Sequence, residues 1–292
     1  MRVRPSIRLA SLPAALSYAA RFRMAAEAGF EGVELEAGLD PPGAVREAAD
    51  AAGIAVHSVH TYRNWSHPLT SADPKVAADG LRHSLAALEE AKMLGAGTYQ
   101  LIPGRARDGI SYREAYDRSQ AVIRAELLPA AAELGIVLGI ENVWNGFLLG
   151  PLEYAQYCDS FDSPWVRPYL DIGNPVFGRP EDWIEICGPR LVALHLKDFR
   201  LMTRGDMVLH FSHAQVGDGA VDWAAVRAAL ERAGFEGWGV FAQAEHFQGR
   251  LACAARLWAH RARRLPLAGA AQAFLARRLL GDLMNRHRRF LA

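Results

Sequence analysis

The chain has 292 residues, a length that suits either two ordinary domains or one α/β barrel. Its 33 Lys and Arg against 32 Asp and Glu leave a formal net charge of +1, so no overall field attracts nucleic acid or an acidic membrane surface. With 51% hydrophobic residues the chain can form a large core, and the composition argues against intrinsic disorder.

The three cysteines, Cys158, Cys187 and Cys253, lie far apart and form no CxxC pair. This odd number argues against a disulfide framework and favours a location in the reducing cytoplasm. No stretch of about 18 uncharged apolar residues is present, so no membrane span is expected. Near the amino terminus Arg8 interrupts the first apolar run, and we interpret SIRLA as a strand rather than part of a signal peptide.

Short apolar runs alternate with longer helical patterns up to about residue 262. The segment KVAADGLRHSLAALEEAKMLG has apolar residues at helical spacing, and Gly95 is placed to end that helix. The eight runs that we predict to be strands are, in chain order, Ser6–Ala10, Gly32–Glu36, Ala55–Val59, Thr98–Ile102, Val137–Glu141, Arg167–Asp171, Leu191–Leu196 and Gly239–Gln243.

Strands that alternate with helices predict a parallel sheet, because each crossover between parallel strands needs a helix. Eight such units close into a (β/α)₈ TIM barrel, which we predict for residues 1–262. A doubly wound open sheet is the structural alternative, and the lack of a GxGxxG after the first strand counts against it. Residues 263–292 are rich in Arg and apolar residues and predict a C-terminal helical extension that packs on the barrel or contacts a second copy in a homo-oligomer, with binding of an anionic partner as the alternative.

Polar side chains follow three consecutive predicted strands, in LGIENVWN, LDIGNP and LVALHLKDF. These place Glu141, Asp171 and His195 at the carboxyl ends of the strands, which face one shared site in a barrel. Two carboxylates and an imidazole that converge on one point are typical of a divalent metal site, with Mn²⁺, Mg²⁺, Co²⁺ or Zn²⁺ as the ion. Taken singly, Glu141 could be a salt-bridged strand end, Asp171 a turn cap and His195 a core histidine.

The chain resembles the sugar phosphate isomerase/epimerase superfamily, the xylose-isomerase-like barrels. The resemblance rests on GFEGVELE, LGIENVWN, LDIGNP, ALHLKD and VGDGAVDW, which occur in that order at barrel spacing. The wording of DIGN and HLKD is similar to that of the ketose-phosphate 3-epimerases. The resemblance implies that Glu141, Asp171 and His195 bind the metal, together with a Glu at the end of the eighth strand.

The eighth strand departs from the family pattern, because Ala242 stands where that fourth ligand is expected. Glu245 and Gln243 are the nearest replacements, and either needs a bulge or a shift, since side chains alternate faces along a strand. In the epimerases the carboxylates of the fifth and eighth strands lie on opposite sides of the substrate and exchange its proton. We therefore expect Glu141 and Glu245 to be the catalytic pair, with Glu245 as the fourth ligand and Gln243 as the alternative.

Further polar residues near the strand ends are expected to contact a small sugar or polyol substrate. In related barrels a polar group of the third strand often lines the sugar pocket. The residues that we expect to bind substrate are His57, His60, Asn142, Asn174, Lys197 and Arg200. Glu34 faces either this site or an interior salt bridge. Three aromatic residues either form an apolar wall against the carbon face of a sugar or pack at the rim of the barrel. They are Trp65, Trp144 and Phe177.

Two further motifs have competing interpretations. The glycines of VGDGAVDW could approach a phosphate, but Asp222 is a ready N-cap for the following helix, and we favour the turn and cap. His213 matches a metal-binding position of the AP endonuclease branch, which requires several histidines. Asn174 stands where that branch has its second histidine, so a repair nuclease is disfavoured.

The sequence therefore predicts a metal-dependent isomerase or epimerase of a ketose, sugar phosphate or polyol, which acts through an enediolate. A dehydratase of the inosose or dehydroshikimate type is the alternative within the superfamily. A barrel that has lost catalysis and serves as a binding subunit is the alternative of a different class, and Ala242 favours it.

Overall fold

The computed structural model describes residues 1–39, 41–242, 281, 284 and 285 of the chain. Ten strands are present in the described part: β1 Arg2–Arg8, β2 Gly32–Glu36, β3 Ala55–His60, β4 Thr98–Leu101, β5 Val137–Glu141, β6 Val166–Asp171, β7 Ala193–Leu196, β8 Asp198–Arg204, β9 Met207–Ala214 and β10 Glu236–Phe241. The helices of the same part are α1 Tyr18–Glu27, α2 Pro42–Ala51, α3 Arg63–Ser66, α4 Pro74–Leu94, α5 Tyr112–Val122, α6 Leu128–Leu134, α7 Pro151–Asp159, α8 Pro180–Cys187 and α9 Trp223–Arg232.

Eight of the strands close into a barrel in the order β1-β10-β7-β6-β5-β4-β3-β2, and neighbouring strands are parallel. The prediction of a (β/α)₈ TIM barrel is confirmed. The buried hydrophobic residues form one large cluster between the strands and the surrounding helices, and a small one, Tyr169, Ala193 and Val240, with Trp238 packed against it.

The helix ends follow the sequence signals closely. Helix α4 ends at Leu94, and Gly95 follows with a φ of +72°, a conformation that glycine adopts at little cost. Helix α9 begins after Asp222, whose side chain accepts hydrogen bonds from the backbone N–H groups of Ala224 and Ala225. Both predicted ends are therefore confirmed.

The first strand begins earlier than predicted, at Arg2 rather than at Ser6. The sequence did not indicate this earlier start, because Arg2 and Arg4 are charged and are typical of a solvent-exposed segment. In the barrel Arg4 lies 3.7 Å from the ring centroid of Trp238, so its guanidinium has an aromatic partner on β10.

An antiparallel hairpin, β8 and β9, stands outside the barrel between β7 and α9. The sequence analysis did not predict it. The signal was present, because Gly205 and Asp206 form a two-residue turn between segments rich in β-forming residues.

The predicted C-terminal extension, residues 263–292, lies outside the described residues apart from Gly281, Met284 and Asn285. Met284 is buried and belongs to the main hydrophobic cluster. Its side chain lies close to Gly29, in the turn between α1 and β2. The extension as a whole, and the domain boundary at residue 262, remain predictions.

Candidate metal centre at the carboxyl ends of the strands

Glu141, Asp171 and His195 lie together on the adjacent strands β5, β6 and β7. Each offers one ligand atom, and these atoms lie within 4.8 Å of one another. Asp171 and His195 are paired in register, and His195 Nδ1 is 2.7 Å from Glu141 Oε1 and 3.7 Å from Asp171 Oδ2. All three are buried. The structure thus brings together the three residues that the strand-end pattern singled out.

Asp171 uses its two carboxylate oxygens differently. Oδ1 accepts a hydrogen bond from the backbone N–H of Gly173 at 3.0 Å, which is the turn cap considered above. Oδ2 is buried and makes no hydrogen bond of regular geometry in the described structure, although Lys197 Nζ lies 2.5 Å away as an ion pair. Burial raises the pKa of Asp171, but Lys197 and His195 outweigh it, so that the pKa is lowered from its usual value. Asp171 is therefore an anion with one oxygen directed at a cation.

The loop after β6 permits this arrangement because it contains Gly173. A Cβ at this position would lie 2.7 Å from the Cβ of Lys197 and equally close to the ring of Phe199. Any larger residue would push the loop away from β7 and β8. Gly173 thus sets the distance between Asp171 and Lys197.

His195 is held from both sides of its ring. Nδ1 faces Glu141, while Nε2 lies 3.1 and 3.3 Å from the two carboxylate oxygens of Glu34. Burial lowers the pKa of His195, but the negative charges of Glu34 and Glu141 more than offset this and raise it to about 10. Gln100 Nε2 donates to Glu141 Oε2 at 2.5 Å and fixes the other end of that carboxylate.

Asn142 and Asn174 hydrogen-bond the backbone beside the cluster. Asn142 Oδ1 accepts from the backbone N–H of Asp171 at 2.7 Å, and its Nδ2 donates to the Asp171 carbonyl at 3.2 Å. Asn174 Nδ2 donates to the Asn142 carbonyl at 2.6 Å. Both side chains thus position the loops that carry Glu141 and Asp171, and a direct contact of either with substrate remains a prediction.

The other residues that we expected to bind substrate lie at different depths. His60 is buried near the cluster, and its Nε2 has no hydrogen-bond partner in the described residues. His57 lies deeper in the barrel, where its Nε2 is 2.7 Å from Ser6 Oγ and its ring stacks on Trp238. Arg200 lies on the exposed hairpin opposite Ser212 and not in the buried cluster.

The turn VGDG binds a carboxylate of the protein itself. Asp198 Oδ2 accepts from the backbone N–H groups of Gly217 and Gly219 and from Trp223 Nε1, at 2.9, 3.1 and 2.9 Å. Oδ1 accepts from the backbone N–H groups of Phe199 and Val221. The N–H groups that could have contacted a phosphate are therefore directed at Asp198, which explains why HLKD and VGDGAVDW occur in one chain.

An apolar cavity of about 530 Å³ adjoins the cluster. Asn142 and Asn174 form one side of it, and the apolar side is lined in part by Trp144, Phe177 and Phe211. Trp144 packs edge-on against Phe199, 4.7 Å away, so it belongs partly to the packing of the hairpin. Two of the three aromatic residues predicted to form an apolar wall thus line one cavity.

The predicted position of a fourth metal ligand falls at the limit of the described residues. Ala242 is buried and follows β10, in which Trp238 and Val240 pack with Tyr169 inside the barrel. Alternation places Ala242 on that same inner face, where it offers no ligand atom. Glu245 and Gln243 lie outside the described residues, so their roles remain predictions.

The residues present fit a divalent ion. Two carboxylates and one imidazole are a common donor set, and the buried Asp171 Oδ2 lacks a regular hydrogen bond. The ring nitrogen of His195 that faces away from the donors has its own carboxylate, as is usual for a metal-bound histidine. His213 lies on β9 against Phe199, and in the described residues only Glu141, Asp171 and His195 form a group that could hold a metal.

A closed parallel barrel with a polar cluster at the carboxyl ends of its strands is typical of α/β-barrel proteins, which have their functional site at that end. The chain belongs to the xylose isomerase-like TIM-barrel family, whose model matches residues 22–266. No helix of the described residues has the length and apolar character that a membrane span needs.

The similar proteins include several epimerases. The chain is 27% identical over 244 residues to the L-ribulose-5-phosphate 3-epimerase of Salmonella paratyphi C. The aligned region covers 78% of this chain and 82% of that protein. The structure of an L-ribulose 3-epimerase has a TM-score of 0.70 at 19% identity and covers 98% of this chain and 96% of that one. A D-allulose 3-epimerase from Methylomonas sp. has a TM-score of 0.69 at 21% identity and covers 99% and 98%. These two structural likenesses show the shared fold.

Proposed function

We propose that the protein is a metal-dependent 3-epimerase of a ketose or ketose phosphate. The observation that carries the proposal is the convergence of Glu141, Asp171 and His195 within 4.8 Å of one another in a barrel of this family. The relatives named above are epimerases of ribulose 5-phosphate, ribulose and allulose, and they support a ketose as the substrate.

A divalent ion held by Glu141, Asp171 and His195 would act as a Lewis acid toward the ketose carbonyl and would make the proton on the adjacent hydroxyl-bearing carbon more acidic. Among the residues that the structure describes, we propose Glu141 as the base. Its carboxylate is fixed by Gln100 at one oxygen and by His195 at the other, so it has a defined direction toward the substrate. Glu141 would remove this proton from one face of the substrate carbon, which leaves the enediolate.

Return of the proton to the opposite face requires a second acid. We propose Glu245 for this role and as the fourth ligand, with Gln243 as the alternative ligand. The distinction matters because a Gln cannot carry the proton, whereas a Glu can.

The charges next to the cluster favour an anionic intermediate. Glu34, Glu141 and Asp171 carry three negative charges, and Arg8 and Lys197 carry two positive ones. With a neutral His195 and a divalent ion, the group has one surplus positive charge. An enediolate, an anionic substrate or the carboxylate of Glu245 can neutralise it. The side chain of Lys197 is 18% exposed. Among the described residues, we propose Lys197 as the cation that moves from Asp171 to contact a substrate oxygen.

The test is proton exchange with solvent in a panel of ketoses, with and without a terminal phosphate. We expect the metal-loaded protein to incorporate deuterium from D₂O at carbon 3 and to form the 3-epimer. Glu141→Gln removes the base and should abolish both, while the matched substitution of the exposed Glu133 should leave both unchanged.

Two other outcomes favour other functions. Loss of water from a polyol substrate, in place of epimerisation, favours a dehydratase. A metal-loaded protein that exchanges no proton with any ketose or polyol contradicts the proposal and favours a binding subunit.

A further inference from the structure

We propose that Glu34 is a positioning residue that fixes His195 with its Nδ1 toward the metal. This inference rests on the proposed metal centre, but it concerns a residue outside the three ligands. Glu34 lies on β2, across the barrel from His195 on β7, and its side chain is completely buried.

Glu34 contacts the one ring nitrogen that the ligands do not use. Both of its carboxylate oxygens lie close to His195 Nε2, at 3.1 and 3.3 Å. Nδ1, on the other edge of the ring, faces Glu141 at 2.7 Å. An imidazole in this position has one nitrogen for the metal and one for Glu34.

Other strands hold Glu34 in place. Arg8, at the end of β1, directs Nε and Nη2 to Oε1 at 2.8 and 2.7 Å. Tyr169, on β6, donates its hydroxyl hydrogen to Oε2 at 2.7 Å. The Tyr169 ring also lies edge-on to the imidazole, with 4.7 Å between the ring centroids, so it restricts both partners. Side chains from the three strands β1, β2 and β6 thus fix the orientation of one imidazole on β7.

Two oxygens of Glu34, at 3.1 and 3.3 Å, favour a hydrogen on Nε2 of His195, although Arg8 Nη2, which is a donor, lies 3.3 Å from the same nitrogen. An ionised carboxylate has only acceptor atoms, so it is matched by an N–H at Nε2. A neutral imidazole with its hydrogen on Nε2 has its lone pair on Nδ1, which is the atom that faces Glu141 and Asp171. Carboxylates in this position orient metal-binding histidines and increase their basicity.

The ion pair with Arg8 limits the role of Glu34 to orientation. Arg8 carries one positive charge and Glu34 one negative charge, so the pair adds no net charge beside the metal. A buried ion pair of this kind contributes little net stability compared with apolar residues of the same volume. A role in fixing His195 accounts for its presence at the centre of the barrel.

The first experiment measures the dissociation constants of Mn²⁺ and Co²⁺ by titration calorimetry. Glu34→Gln should weaken both by about 10- to 100-fold, as for other residues that hold metal-binding histidines. The matched control is Glu31→Gln, since Glu31 is partly exposed and pairs with Arg4 at the other end of the barrel. The control should bind both ions as the wild type does. If Glu34→Gln also binds them as tightly as the wild type, the inference is wrong.

A charge-balanced variant covers the case in which Glu34→Gln does not fold. Arg8→Gln/Glu34→Gln removes both members of the ion pair and leaves no unpaired buried charge. It should fold and should lose the same affinity for Mn²⁺ and Co²⁺. Wild-type affinity in the double variant contradicts the role of Glu34.

The second experiment uses the metal-free protein labelled with ¹⁵N-histidine. In the wild type the Nε2–H of His195 should give an NMR signal that is protected from exchange with solvent, because Glu34 accepts its hydrogen bond. The protection should be lost in Glu34→Gln. An unprotected signal in the wild type refutes the inference even if metal binds. Absence of metal binding with a protected signal refutes the metal centre and leaves the Glu34–His195 contact in place.

Discussion

Asp198 gives the sharpest prediction about stability, because its carboxylate joins two segments of the chain. Its described hydrogen bonds include two at Oδ1, from the backbone N–H groups of Phe199 and Val221, and three at Oδ2, from Gly217 and Gly219 of the VGDG turn and from Trp223. Asp198→Asn keeps the shape of the side chain but has one acceptor oxygen in place of two. In the better orientation of the amide, the N–H groups of Phe199 and Val221 lose their acceptor.

The magnitude follows from these two donors. A buried donor without an acceptor costs about 1–3 kcal/mol, and the loss at Val221 adds less because that hydrogen bond is only partly buried, so Asp198→Asn should lower the free energy of unfolding by roughly 1–4 kcal/mol. Urea denaturation followed by circular dichroism measures this difference. The matched control is Asp206→Asn in the exposed turn of the hairpin, which should change stability by no more than about 0.5 kcal/mol. If Asp198→Asn unfolds at the same urea concentration as the control, the carboxylate does not hold the turn.

Gly219→Ala should be strongly destabilising in thermal denaturation, because its Cβ would lie 2.0 Å from Asp198 Oδ1, whereas Gly43→Ala in α2 has open space and should be neutral or stabilising. Metal binding should release a proton, because the carboxylates around His195 hold its pKa at about 10 and the ligand must be neutral. The apparent affinity should therefore rise with pH by about tenfold per unit below that value, and calorimetry in buffers of different ionisation enthalpy measures the proton. Burial raises the pKa of Cys187 to about 12 and that of Cys158 well above its usual value, so neither thiol should react with a disulfide reagent at pH 8 until the protein is unfolded; rapid reaction of either in the native state contradicts their burial.

The barrel and the three ligand positions could be predicted because both depend on local patterns. A strand that ends in a polar residue can be recognised from about six residues of sequence. The closure of the barrel then brings the ends of such strands together. Asp171 shows the limit of this reasoning. The sequence offered a turn cap and a metal ligand as competing interpretations, and the structure shows that one oxygen caps the turn while the other pairs with Lys197.

The residues around the ligands could not be predicted in the same way, because their partners are distant in the chain. Glu34 and His195 are 161 residues apart, and Arg8 and His195 are 187 apart. The sequence left Glu34 between a site residue and an interior salt bridge, and its contacts include both His195 and Arg8. The hydrogen bonds of the Asn142 amide to the backbone of Asp171 were not indicated by residue type, and its predicted contact with substrate stays a prediction. The hairpin after β7 was not predicted, because a strand pair outside the barrel does not fit the alternation of strands and helices.

The most direct test of the metal centre is anomalous X-ray diffraction from crystals of the protein loaded with Co²⁺. We predict one peak between the three side chains, about 2.0–2.2 Å from His195 Nδ1, from Asp171 Oδ2 and from a carboxylate oxygen of Glu141. The same map identifies the group that supplies the fourth ligand. A map without a peak at this position, in which Lys197 still pairs with Asp171 Oδ2, would contradict the metal centre and the epimerase mechanism that depends on it.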